Sequence, residues 1–113
     1  MRAIYYYMKE HELLELLERS VEKLSIKLNY DDLRKGEINT HGGAYVLRGE
    51  RFITAHKHLS PSEKIDLLLE ALSEVETEGV HLPPEVRQKL DEVKNARLRR
   101  AARHLHHDGT MNR

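Results

Sequence analysis

Histidines are the side chains in this sequence best suited to hold a metal ion. His56 and His58 stand two residues apart in a predicted strand, so both should point to the same face of it. Imidazole is a common ligand of zinc, copper and nickel, but two ligands are too few for a stable site. His41 and His81, in predicted loops, would have to converge on the pair. Such histidines more often face solvent or make single hydrogen bonds, so we predict neither a metal site nor a cofactor.

Glu70 is the carboxylate whose setting comes nearest to a catalytic one. In the HExxH pattern of zinc peptidases, two histidines one helical turn apart bind the metal, and the glutamate beside the first activates a water molecule. Glu70 occupies the glutamate position, but the ligand positions are Leu69 and Ser73. We therefore predict a surface or capping carboxylate and favour a protein without enzymatic activity. A hydrolase with an unfamiliar site around Glu70, His56 and His58 is the alternative.

The C-terminal segment concentrates positive charge. The chain has 19 Lys and Arg against 19 Asp and Glu, but residues 94–113 hold six Lys and Arg and one Asp, which leaves 13 against 18 in residues 1–93. A basic helical face can bind phosphates, an acidic partner or the chain's own acidic body. It can equally be a solvated helix end, where the helix dipole favours cations. The candidate contact residues are Lys94, Arg97, Arg99, Arg100, Arg103 and His104.

Glycines and tyrosines form two further clusters. Gly42-Gly43 is followed by neither a Lys-Ser/Thr pair nor a helix, so it does not predict a phosphate loop. It predicts a turn that leads into a strand, where glycine permits unusual backbone angles. The tyrosines at residues 5–7 are expected to pack in the core or at an edge. If exposed, they would suit an interface, where tyrosine is enriched.

The N-terminal part predicts one helix and one strand. Apolar residues recur at helical spacing over residues 9–24, with glutamates on the other face, which indicates an amphipathic helix. Residues 3–8 are apolar and β-prone, and would form a short strand or a lead-in to this helix. Apolar and polar residues alternate over residues 26–30, as in a half-buried strand. Residues 31–43 predict a polar loop.

A tight hairpin is expected next. Residues 44–48 and 51–55 predict two strands, and Gly49-Glu50 between them suits a two-residue turn. Both strands have apolar residues on both faces, so we expect both faces of the hairpin to be covered. The predicted cross-strand pairs are Val46 with Ile53 and Leu47 with Phe52.

Two further helices have recognisable starts. Residues 60–63, Ser-Pro-Ser-Glu, predict a capping box with Pro61 at the first helical position. Gly79 would end this second helix, and Pro83-Pro84 would open a third. The predicted buried stripes are Ile65, Leu68, Leu69, Leu72 and Val75 in the second helix and Val86, Leu90 and Val93 in the third.

A hairpin followed by this capped helix resembles a pared-down ImmA/IrrE-type zinc-peptidase-like fold. It also resembles small uncharacterised bacterial proteins with a Gly-Gly hairpin, an LSPxEK helix start and a VxLPP helix start. Here those elements are Gly42-Gly43, Gly49, residues 59–64 and residues 80–84, within residues 10–90. The resemblance implies the fold of the peptidases without their enzymatic activity, because the metal-ligand residues of the peptidases are not present.

These patterns predict an α+β fold: a small antiparallel sheet with a tight hairpin, packed by two to three helices, and a long basic C-terminal helix. Residues 1–93 would form a single domain and residues 94–113 a helical extension. We expect a non-catalytic interaction or regulatory protein that binds a protein partner or associates with itself. The alternative is a nucleic-acid-binding accessory protein that uses residues 94–107.

The composition predicts the cellular environment of this protein. No apolar run approaches the about 20 residues that cross a bilayer, and the N-terminus is a poor signal peptide, so we predict a cytoplasmic protein without membrane contact. The chain has no cysteine, which excludes disulfides and thiolate metal sites. The missing cysteine, the single Gln88 and the 34% of charged residues are typical of heat-tolerant bacterial or archaeal proteins.

Overall fold

Three helices and three strands make up the part of the chain that the structure describes. The computed structural model describes residues 2–32 and 42–111, with side chains from 9 to 32 and from 42 to 103. The predicted α+β class and the long C-terminal helix are confirmed. The elements are α1 (Arg2–Lys23), β1 (Ile26–Asp31), β2 (Gly42–Leu47), β3 (Glu50–His56), α2 (Pro61–Leu72) and α3 (Pro84–Met111).

Helix α1 begins before its amphipathic stretch. It includes residues 3–8, which lead into the helix and do not form a separate strand. The side chains of the tyrosine cluster, residues 5–7, lie outside those described. Leu17 and Val21, one helical turn apart, point into the core and are fully buried. The chain then reverses through Ser25, whose φ of 61° lies in the left-handed region, and enters β1 directly.

The sheet is mixed, with strand order β1-β3-β2. β2 and β3 are antiparallel, as a hairpin requires, but β1 runs parallel to β3, with Leu28 beside Ile53. The expectation of an antiparallel sheet is therefore wrong for the β1–β3 pair. Parallel neighbours need a long connection, and here it contains residues 32–41 and the whole of β2. β3 thereby becomes the central strand and β2 an edge.

The hairpin turns at Arg48-Gly49, one residue before the predicted pair. Their φ values are 53° and 81°, and a type I′ turn requires positive φ at both positions. The predicted pairs are therefore wrong by two residues, but a shift of two keeps every side chain on its predicted face. The observed pairs are Ala44 with Ile53, Tyr45 with Phe52, Val46 with Arg51 and Leu47 with Glu50.

Helix α2 has the predicted capping box. Ser60 Oγ accepts a hydrogen bond from the Glu63 backbone N–H at 3.2 Å, and Glu63 Oε1 accepts one from the Ser60 N–H at 2.9 Å. Pro61 is the first helical residue, as expected. The helix ends at Leu72, before the predicted stop at Gly79. Gly79 instead has a φ of 85° in the loop that follows.

Arg87 fixes the loop between α2 and α3. Its guanidinium donates to Thr77 Oγ1 at 3.0 Å, to the Thr77 carbonyl at 3.3 Å and to the Val80 carbonyl at 2.7 Å. Thr77 is buried, so its polar atoms need partners inside the protein. A loop tied in this way holds α3 against the other two helices.

The core lies between the sheet and the helices. α1 contacts β1, α2 contacts β2 and β3, and α3 packs against α1 and α2. The predicted stripes of α2 and α3 are confirmed except at two positions: Val93 is only partly buried, and Val75 is partly buried beyond the end of α2. The buried core residues are Leu14, Leu17, Val21, Ile26, Ile53, Ile65, Leu68, Leu69, Ala71, Leu72, Leu82, Val86 and Leu90.

Helix α3 continues beyond the core. It has 28 residues, and the last of them to be buried in the core is Leu90. Residues 98–103 are exposed, so the second half of the helix contributes little to the core. Among the described residues, no helix combines the length and the apolar composition that crossing a membrane requires.

Candidate interaction surface

The apolar residues of β2 form an exposed strip at one edge of the sheet. Tyr45, Val46 and Leu47 keep 47%, 58% and 55% of their surface accessible to solvent. The expectation that both faces of the hairpin are covered is therefore wrong for this strand, because the helices pack on one face and β2 lies at its margin. We call residues 45–47 the apolar edge.

An aromatic stack orders the hairpin face that points away from the helices. The rings of Tyr45 and Phe52 are nearly parallel, with centroids 5.1 Å apart and an interplanar angle of 9°. Lys27 Nζ lies 5.7 Å from the Phe52 ring centroid and pairs with Glu50 at 3.3 Å. A partner at the apolar edge would therefore meet a preformed surface.

The outer side of β2 offers backbone groups to a partner. In the described part of the chain, β2 pairs only with β3, and residues 44–47 form no backbone hydrogen bond on their outer side. Natural proteins commonly protect such an edge with lysines, prolines or bulges. The sequence of β2, GGAYVL, has neither a charge nor a proline. Among the described residues, the outer backbone groups of β2 therefore have no strand partner.

A groove of about 490 Å³ separates the start of β2 from α2. Its strand side is formed by Gly42, Gly43 and Ala44, whose small size leaves the groove open. Its helix side is a row of carboxylates at steps of three and four residues, which continue one face of α2 into the turn that follows the helix. This acidic flank consists of Glu63, Asp66, Glu70 and Glu74.

Gly42 sets how closely the first residues of β2 approach β3. Its φ is 132°, and a Cβ at this position would lie 2.1 Å from the Thr54 carbonyl oxygen. A Cβ on Gly43 would meet no heavy atom within 4 Å. The predicted need for unusual backbone angles is therefore confirmed at Gly42. The predicted turn is wrong, because Gly42 and Gly43 are the first two residues of β2.

Glu70 lies on the surface, where the sequence placed it. Its side chain is 61% exposed, and its Oε1 is 3.7 Å from Arg97 Nη1. Arg97 also donates to Glu74 Oε2 at 3.1 Å and to Ser73 Oγ at 2.9 Å. Leu69, which stands at the first ligand position of the HExxH pattern, is buried in the core. This part of α2 therefore anchors α3 through a guanidinium.

The histidines lie in different environments. β3 ends at the buried His56, so the exposed His58 lies in the following turn and does not share a strand face with it. The His58 N–H donates to His56 Nδ1 at 3.3 Å, and His56 Nε2 is 4.0 Å from Asp32. His81 is exposed in the loop before α3, and His41 lies outside the described residues. Within those residues, no three His, Cys, Asp or Glu side chains gather as metal ligands would.

The structure places five of the six predicted basic contact residues in two groups. Arg97 is engaged with α2, and Lys94 is half-buried. The side chain of His104 lies outside those described. The remaining three are exposed and make no ion pair within the described part of the chain; they are Arg99, Arg100 and Arg103.

Tyr30 ties the opposite edge of the sheet to the helices. Its hydroxyl donates to the Glu18 carboxylate of α1, and Lys64 of α2 places its Nζ 4.6 Å from the ring centroid. Burial, and then the hydrogen bond and charge of Glu18, raise the pKa of Tyr30. The hydroxyl therefore stays protonated and keeps donating, so the β1 side of the sheet is closed by contacts that the β2 side lacks among the described residues.

Comparisons with known proteins return no match to this chain from protein-family models, curated proteins or solved structures. The resemblance to the ImmA/IrrE-type fold therefore stays a prediction.

Sequence reasoning found part of this surface. It singled out Glu70 and the basic residues of α3, but it missed the other members of the acidic flank and the apolar edge. The acidic flank could have been predicted from the sequence, because its four carboxylates recur at helical spacing. The apolar edge could not have been predicted in this way, since a run of apolar residues in a strand does not reveal whether that strand is central or peripheral.

Proposed function

We propose that this protein is a non-catalytic interaction module that binds a partner strand along the apolar edge. The observation behind this proposal is that three consecutive large apolar residues, 45–47, remain about half-exposed on an edge strand. Burial of this strip against a partner would stabilise the complex by about 25 cal/mol per Å² of apolar surface. A partner strand would also pair the backbone groups on the outer side of β2.

The rigidity of the hairpin favours this mode of binding. The turn at Arg48-Gly49 and the stack of Tyr45 on Phe52 hold the apolar edge in one arrangement. A preformed strand loses less conformational entropy on binding than a mobile segment does. Strand addition at this edge therefore needs ordering only in the partner.

The surroundings of Glu70 support the non-catalytic part of the proposal. Its carboxylate lies beside Arg97, and the neighbouring Leu69 points into the core. A general base needs a position from which it reaches a substrate proton, often with a raised pKa. An exposed carboxylate next to a guanidinium has neither the burial nor the neighbours for that role.

Selection of extended peptides from a displayed random library, with the full chain as bait, tests the proposal. Val46→Asp and Val46→Lys should each weaken the selected peptides by at least about tenfold, because each puts a charge in the middle of the apolar edge. Leu98→Asp and Leu98→Lys are the matched controls, since Leu98 is 67% exposed on α3 and outside the edge. Unchanged affinity in both Val46 variants would overturn the proposal.

A second candidate function, nucleic-acid binding, is favoured by the three exposed arginines of α3. Phosphate contacts release counterions, so the affinity falls with salt, with a slope set by the number of contacts. Replacing Arg99, Arg100 and Arg103 by glutamine should reduce that slope by about one for each true contact. Arg97→Gln is the control, because Arg97 is engaged with α2. An unchanged salt slope in the triple variant would exclude this role for the helix.

A further inference from the structure

We propose that the occupant of the apolar edge is an extended basic segment of a partner protein, in which lysine or arginine alternates with apolar residues. This inference rests on the proposed function and names the chemistry of its partner. It follows from the position of the acidic flank, which lines the same groove as the first residues of β2.

The groove fixes where the side chains of an added strand would go. Successive side chains of a strand point to opposite faces of the sheet. On one face of a strand added to β2, they would point towards α2 and its acidic flank. On the other face they would lie beside Tyr45 and Leu47, which are on the side of the hairpin away from the helices. One face of the segment therefore meets the carboxylates and Val46, and the other meets Tyr45 and Leu47.

The acidic flank already binds a guanidinium of this chain. Arg97 reaches Glu74 at 3.1 Å and Glu70 at 3.7 Å, so carboxylates of the acidic flank are placed to accept cationic side chains. Farther towards the helix start, Asp66 is exposed and makes no ion pair within the described part of the chain. The small residues at 42–44 leave room beside it for a long side chain. A lysine or arginine of the partner would fill this space and offset its negative charge.

A second copy of this chain fits the same edge less well. Two copies related by a two-fold axis would present the same patch to each other. Pairing β2 with β2 in that way would bring one acidic flank towards the other. Like charges oppose such an approach, whereas a basic segment of another protein is attracted to it.

Two synthetic peptides of eight residues test the charge requirement. One alternates lysine with valine, and the other alternates glutamate with valine, so both can form the same strand. We expect the lysine peptide to bind the full chain at least about tenfold more tightly than the glutamate peptide, with an affinity that falls as salt is added. Slowed amide exchange at residues 44–47 should accompany binding.

The carboxylates are tested with a charge-matched pair of variants. Asp66→Asn with Glu70→Gln should weaken the lysine peptide about five- to tenfold, as expected for two partly exposed ion pairs. Glu76→Gln with Glu78→Gln removes the same charge from exposed positions in the loop after α2 and should leave the affinity unchanged. Equal losses in both double variants would overturn the role of the acidic flank.

The remaining outcomes separate this inference from the proposed function. If both peptides bind equally and both are lost in Val46→Asp and Val46→Lys, the edge binds strands without charge selection, and only the further inference fails. If the lysine peptide binds those variants as well as it binds the wild type, both proposals fail. A dimer that depends on Val46, detected by sedimentation without peptide, would make a second copy the occupant and would also overturn the inference.

Discussion

Strands β2 and β3 lie side by side and are joined by a two-residue turn, yet they differ in exposure. In β3, Ile53 is 1% exposed and Ala55 is fully buried, whereas Val46 of β2 is 58% exposed. Both sequences contain apolar residues on both faces. The difference comes from their place in the sheet, because among the described residues β3 has a strand on each side and β2 has one. The same kind of strand is thus buried in one position and exposed in the other.

The two strands also differ in how the helices meet them. α2 contacts both strands, but the groove lined by the acidic flank borders the start of β2. β3 is therefore closed by apolar contacts, while β2 is bordered by charge. Substitutions in the two strands should separate these roles.

The largest expected effect is that of truncating Ile53, a buried side chain of the central strand. Ile53→Ala should lower the free energy of unfolding by about 3 kcal/mol, because it leaves a cavity in a closed core. Val46→Ala, in the neighbouring strand, should cost less than about 1 kcal/mol, since its side chain is mostly in solvent. Urea unfolding followed by circular dichroism measures both. Similar losses at the two sites would show that β2 is buried in solution.

Glycine substitutions test the approach of the two strands. Gly42→Ala should lower the free energy of unfolding by about 2 kcal/mol, because its Cβ would clash with the Thr54 carbonyl oxygen and its φ is unfavourable for alanine. Gly43→Ala should change it by less than about 0.5 kcal/mol, since the added Cβ has open space. Equal stability of the two variants, measured by denaturant unfolding, would contradict the close approach at Gly42.

Removing the cap of α2 should loosen a helix that packs on both strands. Ser60→Ala removes the acceptor for the Glu63 N–H and should cost about 1 kcal/mol, or about 4 °C in Tm. Ser62→Ala, two residues on and exposed, is the control and should leave Tm nearly unchanged. Scanning calorimetry decides between them. A larger shift at Ser62 would contradict the capping role of Ser60.

The smallest effect is expected at the apolar edge itself. Leu47→Thr should change the free energy of unfolding by less than about 0.5 kcal/mol, because Leu47 is 55% exposed and threonine suits a strand. It should nevertheless reduce the binding of a hydrophobic dye, which reports exposed apolar surface. Loss of stability beyond that of Val46→Ala would place Leu47 in a packed environment.

Local signals in the sequence predicted much of the fold. The capping box of α2 was readable because all its partners lie within four consecutive residues, 60–63. The hairpin was readable from its glycine, but its register was not. Arg48 has a positive φ, which is unusual for an arginine and could not be predicted from its residue type. The turn therefore lies one position earlier than predicted. Glu70 was correctly predicted to be a surface residue, but its ion pair with Arg97 joins two helices and had no local signal.

The sequence by itself determined the helices, the strands and the faces that their side chains take, because these follow from periodicity and from contacts within a few residues. Only the tertiary structure decided that β1 joins β3 in parallel and that β2 is left at the edge. It also placed the acidic flank beside that edge and directed Arg97 onto α2. These features depend on which distant segments meet, and the free energy of such pairing is spread over the whole core.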